Sequence, residues 1–329
     1  MTTTTTPIAG AARPKSRAWL RALSGTQGPL IGLVLLCVGF SIASPVFLSV
    51  RNALNVVDQI TVLGILAIGM TAVIVIGGID LSVGSILALA MMVMGWLAND
   101  HGVPFPLAIL VGIGVAALGG LVNGVLVTRA RLPAFIATLT MMSVTRGLAN
   151  MTTDGEQVVG YPDWFTSLAT TRHFGFLSVT VGLLIVLAIA SFVFMRYRAT
   201  GRSLYAIGGS GEVARLAGIP VKRLTIAVYV ASGLLAGVAG IAMASRLNSS
   251  QPSAGLGYEL DTIAAVVIGG ASLSGGVGGI GGTIVGVLII GILHNGLNLI
   301  GVSPFIQQVV IGVAIAVAVT ADTLRRRAA

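Results

Sequence analysis

Asp80 is the residue of this chain whose setting most invites chemistry. It stands in Gly77-Gly78-Ile79-Asp80-Leu81-Ser82-Val83-Gly84, a carboxylate inside an otherwise apolar stretch. At a bilayer centre such a group costs about 2.5–3.5 kcal/mol on insertion scales, so it needs a partner or water. Two roles fit. With Ser82 it can cap a helix that starts there, the glycines allowing a sharp entry of the backbone, or it can meet a polar solute. Glu259 and Asp261, in Tyr258-Glu259-Leu260-Asp261-Thr262, offer the same choice at the mouth of a later apolar segment. His294, next to Asn295, and Asn298 one turn on could, with Asn123 and Gln307, line a polar cavity and hydrogen-bond hydroxyl groups. Their other reading is helix-to-helix hydrogen bonding, worth about 0.6 kcal/mol on average in membranes.

Catalytic constellations are absent. His101, His173 and His294 are scattered, and neither H-E-x-x-H nor G-x-S-x-G occurs. A formal G-x-G-x-x-G at Gly276, Gly278 and Gly281 has no flanking βαβ unit, so it does not read as a nucleotide site. The lysines are Lys15 and Lys222, neither preceded by glycine, so no Walker A motif exists and ATP would have to be handled by another chain. Cys37 is the single cysteine, which excludes an intrachain disulfide and a cysteine metal cluster.

The elements that must position these residues are membrane helices. The chain has 329 residues, of which 55% are hydrophobic and 9% charged. Soluble domains carry about 25% charged residues, so lipid must be the main solvent here. The net charge of +9 does not read as a nucleic-acid patch, because the basic residues flank apolar spans. Hydropathy predicts ten spans, near 28–48, 56–77, 83–98, 105–128, 133–150, 177–195, 224–245, 262–277, 281–300 and 305–321, in an all-α integral membrane protein. Residues 1–27 read as a cytoplasmic tail, 28–322 as one membrane domain and 323–329 as a basic cytoplasmic tail. With the amino terminus inside, fifteen basic residues (Arg13, Lys15, Arg17, Arg21, Arg129, Arg131, Arg196, Arg198, Arg202, Arg215, Lys222, Arg223 and Arg325 to Arg327) lie on the cytoplasmic side. Arg51, Arg172 and Arg246 lie opposite, and Arg146 sits at a helix end.

Ten spans divided five and five imply an inverted repeat. Asp80 and Asp261 open corresponding spans, and the next span of each half carries Asn123-Gly124 or Asn295-Gly296. Glycines four apart, Gly120 with Gly124, Gly233 with Gly237 and Gly282 with Gly286, predict close helix approach in lipid. Between Arg196 and Arg223 runs the longest cytoplasmic connection. Within it Glu212 through Leu216 predict a short helix that Gly218 ends and Pro220 stops. Exposed beneath the membrane, that helix is a docking surface for a soluble partner.

Four stretches in order carry a resemblance to a family. They are Gly77 through Ser85, Gly201-Arg202 through Gly209 with Ala214-Arg215-Leu216-Ala217-Gly218-Ile219, Gln251-Pro252 through Gly270, and Asn295-Gly296-Leu297-Asn298-Leu299. Over nearly its whole length, to about Asp322, the chain resembles the ribose-type branch of ABC importer permeases. The resemblance implies a membrane subunit that passes a monosaccharide or sugar alcohol across the inner membrane and binds no cofactor itself. ATP and Mg would sit on a cytoplasmic ABC ATPase, and substrate would come from a periplasmic sugar-binding protein. A second permease copy, as a homodimer, completes the expected assembly in lipid. The resemblance also implies that Glu212, Val213, Ala214, Arg215, Leu216, Ala217 and Gly218 form the coupling helix that docks on the ATPase. A stand-alone secondary transporter is the competing reading; it needs ion or proton sites, for which Asp58 and Asp80 are the main candidates. A structural scaffold would leave the cytoplasmic helix and the glycines without a purpose.

Overall fold

The computed structural model describes residues 27–327. The tail expected over 1–27, with Arg13, Lys15, Arg17 and Arg21, lies outside the described residues except for Gln27, as do residues 328–329. The first half of the chain forms α1 (Gln27–Ala43), α2 (Val50–Val75), α3 (Val83–Asn99), α4 (Phe105–Thr128) and α5 (Ala134–Met151). There follow β1 (Val158–Val159), α6 (Asp163–Thr170), α7 (Val179–Tyr197), α8 (Ala199–Gly209) and α9 (Gly211–Leu216). The chain finishes with α10 (Val221–Leu247), β2 (Ser249–Ser250), α11 (Tyr258–Ile268), α12 (Ile280–Leu299) and α13 (Pro304–Arg327).

Local chemistry sets the boundaries. The Ser49 hydroxyl accepts the Asn52 amide at the start of α2, and Ser178 accepts the Val181 amide at the start of α7, each filling one of the orphan donors of a helix N-terminus. Asn248 ends α10 in the left-handed conformation that asparagine tolerates. Helices α2, α4, α7, α10 and α12 are long and apolar enough to cross a membrane. The packing departs from that of a soluble protein on the outside: α2 and α3 are buried at the centre through Ile65, Met70, Ile74, Leu87 and Met91. Meanwhile Leu35 of α1, Leu110 of α4, Val186 of α7 and Val309 of α13 face outward. Apolar side chains on both faces are what a lipid solvent requires, and the fold is that of an all-α membrane protein.

Two expected spans differ from what forms. The one at 28–48 stops at Ala43, ahead of Pro45, since the residue before proline is held out of the helical region. The one at 262–277 is helical only over the 11 residues Tyr258–Ile268. At 1.5 Å per residue that is about 16 Å, roughly half of a bilayer core. Beyond it Gly270, Gly275 and Gly276 take positive φ, so 269–279 is an irregular segment that no hydropathy window distinguishes from helix.

The long helix α10 serves as a ruler for the middle of the bundle. It runs antiparallel to α4, and the two backbones nearly touch: a side chain on Gly120 would collide with the Tyr229 carbonyl, and one on Gly233 with the Ala116 carbonyl. Gly124 and Gly237 lie in the same seam, while Gly282 and Gly286 lie where α12 approaches α11. Asp80 meets Ser232, the twelfth of the 27 residues of α10, about 16 Å along a helix of about 40 Å. Helix α3 therefore starts near mid-depth. It runs to the end of the bundle where Asn99 donates to the Val159 carbonyl at 2.9 Å. Helix α11 starts beside it, since Gly255 packs on Gly84, and runs to the opposite end, where Gly276 donates to the Val75 carbonyl at 2.8 Å. Two half-helices, of 17 and 11 residues, thus begin side by side in the interior and leave in opposite directions.

The α4–α10 seam yields a test. Gly120→Leu should cost about 1–3 kcal/mol by overpacking and lower the unfolding temperature of the detergent-purified protein. Gly114→Leu, on the open face of the same helix with no atom within 4 Å of its Cβ position, should leave that temperature unchanged. Equal behaviour of the two variants would show that the seam is not tight.

Candidate functional site

At the start of α3, Asp80 is completely buried. Its Oδ1 accepts the Ser82 amide at 3.0 Å and the Ser82 hydroxyl at 2.6 Å, and its Oδ2 accepts the Ser232 hydroxyl at 3.0 Å. The Asn123 side-chain amide of α4 donates to Ser82 Oγ at 2.8 Å. Thr138 of α5 donates to the Ile79 carbonyl at 3.0 Å, and Thr145 to Ser85 Oγ at 2.7 Å. One carboxylate with its serine thus ties the break between α2 and α3 to α10 and α4, and the threonines of α5 hold the flanks. The positive end of the α3 dipole adds to the stabilisation of the buried anion. Beside this cluster the Asn123 Oδ1 and the Tyr229 hydroxyl, both buried, have no hydrogen-bond partner among the described residues.

Asp261, His294, Asn298 and Gln307 form a second cluster. His294 Nε2 lies 3.1 Å from Asp261 Oδ2, and its Nδ1 lies 3.2 Å from Gln307 Oε1. Gln307 Nε2 donates to Asn298 Oδ1 at 2.8 Å. This chain joins α11, α12 and α13 and remains partly accessible, with side-chain exposures of 24% for His294 and 18% for Asp261. Asn295 turns the other way, pairing its amide reciprocally with Asn52 of α2 at 2.9 and 3.0 Å. Glu259 stands apart from both clusters, beside Gly84 at the junction of the half-helices, and its Oε1 accepts the Gly257 amide at 3.3 Å. Asp58 is paired with Arg172 at 2.5 Å. Among the described residues, no group of three or more His, Cys, Asp or Glu could hold a metal ion.

Helices α8 and α9 form an arm at the end of the bundle where α7 finishes and α10 begins. Ser210 Oγ accepts the Val213 amide to start α9, and Gly218, at φ +81°, closes it by donating to the Arg215 carbonyl at 3.0 Å. Ala214 is buried while Val213 and Leu216 are 65% and 73% exposed. Glu212 and Arg215 pair at 2.5 Å on the exposed side. The hydrogen bond from Arg215, reinforced by its charge, holds the Glu212 carboxyl below the usual range, so the pair stays ionised at neutral pH. Ala217 is the C-cap. The arm is fastened to the membrane part through α8: Tyr205 donates to the Gly278 carbonyl at 3.1 Å, and Gly208 packs on the Val75 carbonyl and the Gly276 amide. A movement of α9 therefore reaches the irregular segment 269–279 and the end of α2 directly.

Sequence reasoning singled out Asp80, Ser82 and Asn123, which the fold brings together, and Asp261, His294 and Asn298, which it also joins. It missed Ser232, Asn52 and Thr145, because a lone small polar residue on an apolar helix carries no sign of its partner. Arg146, expected at a helix end, lies inside α5, where a charge marks function or a specific partner.

The Asp80 cluster predicts a graded loss. Asp80→Ala strands three donors and should destabilise the protein by about 3 kcal/mol, whereas Ser232→Ala removes a single bond and should cost about 1 kcal/mol. Unfolding of the purified protein in a denaturing-detergent titration measures both. An Asp80→Ala protein as stable as the native one would mean that this network does not hold the helix break.

Comparison with known proteins fits these features. Residues 52–319 match the family described as branched-chain amino acid transport system / permease component. The chain is 46% identical over 298 residues to the ribose import permease of Bacillus subtilis, covering 90% of this chain and 92% of that one. It is 41% identical over 326 residues to the ribose import permease of Escherichia coli K12, covering 98% and 100%. It is 37% identical over 325 residues to an L-arabinose ABC transporter permease of Azospirillum brasilense, covering 98% and 95%. No solved structure matches. A bundle of apolar helices, interrupted in its interior by two half-helices and alike over its full length to import permeases, places this chain in the ribose-type ABC permease family, a multi-pass protein of the bacterial inner membrane.

Proposed function

We propose that this chain is the membrane pathway of an ATP-driven importer that carries a monosaccharide or sugar alcohol inward. The observation that carries the reading is the arm: α9 presents two apolar residues and an ion pair outward, while α8 is bolted to the glycine segment at the end of a half-helix. That arrangement suits a surface pushed by a separate engine. The relatives, ribose and arabinose permeases, supply the solute class.

In this reading Val213, Leu216, Glu212 and Arg215 seat α9 in a cytoplasmic ATPase that holds ATP and Mg²⁺. A periplasmic binding protein delivers the sugar at the opposite end, and a second copy of the permease completes the pathway as a homodimer. Both termini are cytoplasmic. The ten helices expected in the bilayer comprise two inverted halves, with α3 and α11 as the discontinuous elements that such repeats place around a central site. His294 and Asn298 remain accessible at this cluster, and the buried Gln307 amide is bonded to both. Hydroxyl-rich solutes are held by such paired donors and acceptors.

The test is reconstitution with the ATPase and binding protein. Leu216→Asp and Arg215→Glu should each weaken ATPase association about tenfold, the size of a central interface residue, and lower sugar uptake in parallel while membrane insertion stays normal. Disabling the Walker lysine of the ATPase should abolish uptake. Uptake that survives that lesion, driven by an ion gradient, would replace the importer with a secondary transporter.

A further inference from the structure

Segment 251–257 descends from the end of the bundle that carries β1 and β2 to the start of α11. It fills the space in front of both half-helix N-termini, with Pro252 and Ala254 buried and Gly255 lodged against Gly84. Its upstream end is fixed. Ser250 pairs with Val158 through the β1–β2 ladder, and the Tyr161 hydroxyl donates to Ser250 Oγ at 2.5 Å. Ser250 in turn donates to the Met91 carbonyl at 2.8 Å. Burial pushes the Tyr161 phenol up to about 12, so it remains a neutral donor. Downstream, α11 begins. Between these anchors the backbone turns at Gly255 and Gly257, both at positive φ, where a main chain can pivot at little steric cost.

Arg146 crosses from α5 to this segment and donates to the carbonyls of Pro252 and Ala254, the second at 2.8 Å. Among the described residues neither carbonyl accepts a backbone amide, and no other side chain donates to the backbone of 251–257. The same guanidinium interacts electrostatically with Glu259 on the first turn of α11, yet the two form no ion pair within 4 Å. One cation is therefore bonded to carbonyls on the near side of the pivots while its charge acts on a carboxylate beyond them. Such a pair of alternatives is what a two-position element needs.

We infer that Arg146 is a positioning residue for transport: a latch that holds segment 251–257 across the junction of α3 and α11, and that releases the segment by transferring its hydrogen bonds from the Pro252 and Ala254 carbonyls to Glu259. Release swings 251–257 about Gly255 and Gly257 and opens the interior from the β1–β2 end. The direction of the substrate's movement rests on the proposed function; the latch itself rests on the geometry. Both carbonyl bonds leave the single nitrogen Nη1, so the rest of the planar guanidinium is on hand for a carboxylate, a geometry that a lysine ammonium does not reproduce.

The experiment uses the full complex in proteoliposomes, with the sole cysteine removed as Cys37→Ser and a reporter introduced as Ala254→Cys, buried in the latched segment. A membrane-impermeant maleimide should label the reporter at least fivefold faster when substrate-loaded binding protein is added. In Arg146→Gln the fast rate should appear without binding protein, together with at least threefold higher basal ATP hydrolysis and tenfold lower sugar uptake. Arg146→Lys should fall between. A purely structural tie would lower the amount of assembled protein without raising basal hydrolysis. If Arg146→Gln does not assemble, the native-Arg146 background decides: a labelling rate that binding protein leaves unchanged overturns the latch. Absence of nucleotide-dependent uptake in the unmutated complex would instead count against the importer reading.

Discussion

A backbone that breaks inside hydrocarbon has no water to satisfy it, and everything distinctive about this protein follows from how that constraint is met at Asp80. The chain leaves α2 at Val75 and begins α3 at Val83, deep beside α10, where unpaired amides would cost several kcal/mol each. The carboxylate answers three donors at once, and the serine it binds accepts a fourth from Asn123. Because the partners come from α4 and α10 as well as from the break itself, the same bonds that make the break tolerable also weld the three elements together. The glycine seam between α4 and α10 is the second half of this solution: only two backbones at van der Waals distance bring Ser232 and Asn123 within reach of one carboxylate.

How much of this is legible before folding depends on the kind of information each element carries. Long apolar runs announce themselves, and α2, α4, α7, α10 and α12 form close to where hydropathy puts them. Segment 262–277 is equally apolar and yet half of it is not helix, since the deciding variable is the positive φ at Gly270, Gly275 and Gly276, not hydrophobicity. Asp80 is visible as an oddity, but its partner Ser232 is not, because a serine in an apolar helix looks the same whether it meets a carboxylate or its own preceding carbonyl. The pairing of Asn295 with Asn52, 243 positions apart, is likewise a fact about topology. The short helix α9 was legible for the opposite reason: its cap, its closing Gly218 and the proline after it are all local.

The two ends of the molecule are built with different stiffness. At the α8–α9 end, beside the Tyr205 bond to Gly278, backbone lies on backbone: Gly208 lies on Val75 and Gly276, and the amide of Gly276 is bonded to the Val75 carbonyl. Such contacts have no side-chain rotamers to absorb a displacement, so a push on α9 is delivered to α2 and to the segment preceding α12 with little loss. At the β1–β2 end a short backbone ladder is joined by side-chain ties through Tyr161, Ser250 and Arg146, and a side-chain bond can be exchanged for another without unfolding the backbone that bears it.

This difference in stiffness bears on where movement can occur during transport. Half-helix α11 is gripped at its far end by main-chain contacts and at its start by a swinging segment with two glycine pivots. Its few turns are too short to span the bilayer, so tilting it exposes no long stretch of unsatisfied backbone; its own amides stay within the helix. A full-length helix pivoting by the same angle would have to drag both ends through opposite interfaces. The short element is therefore the cheap one to move, and the paired clusters on its flanks, Asp261 with His294 toward α12 and Glu259 toward α5, set the two directions in which it has partners to move to.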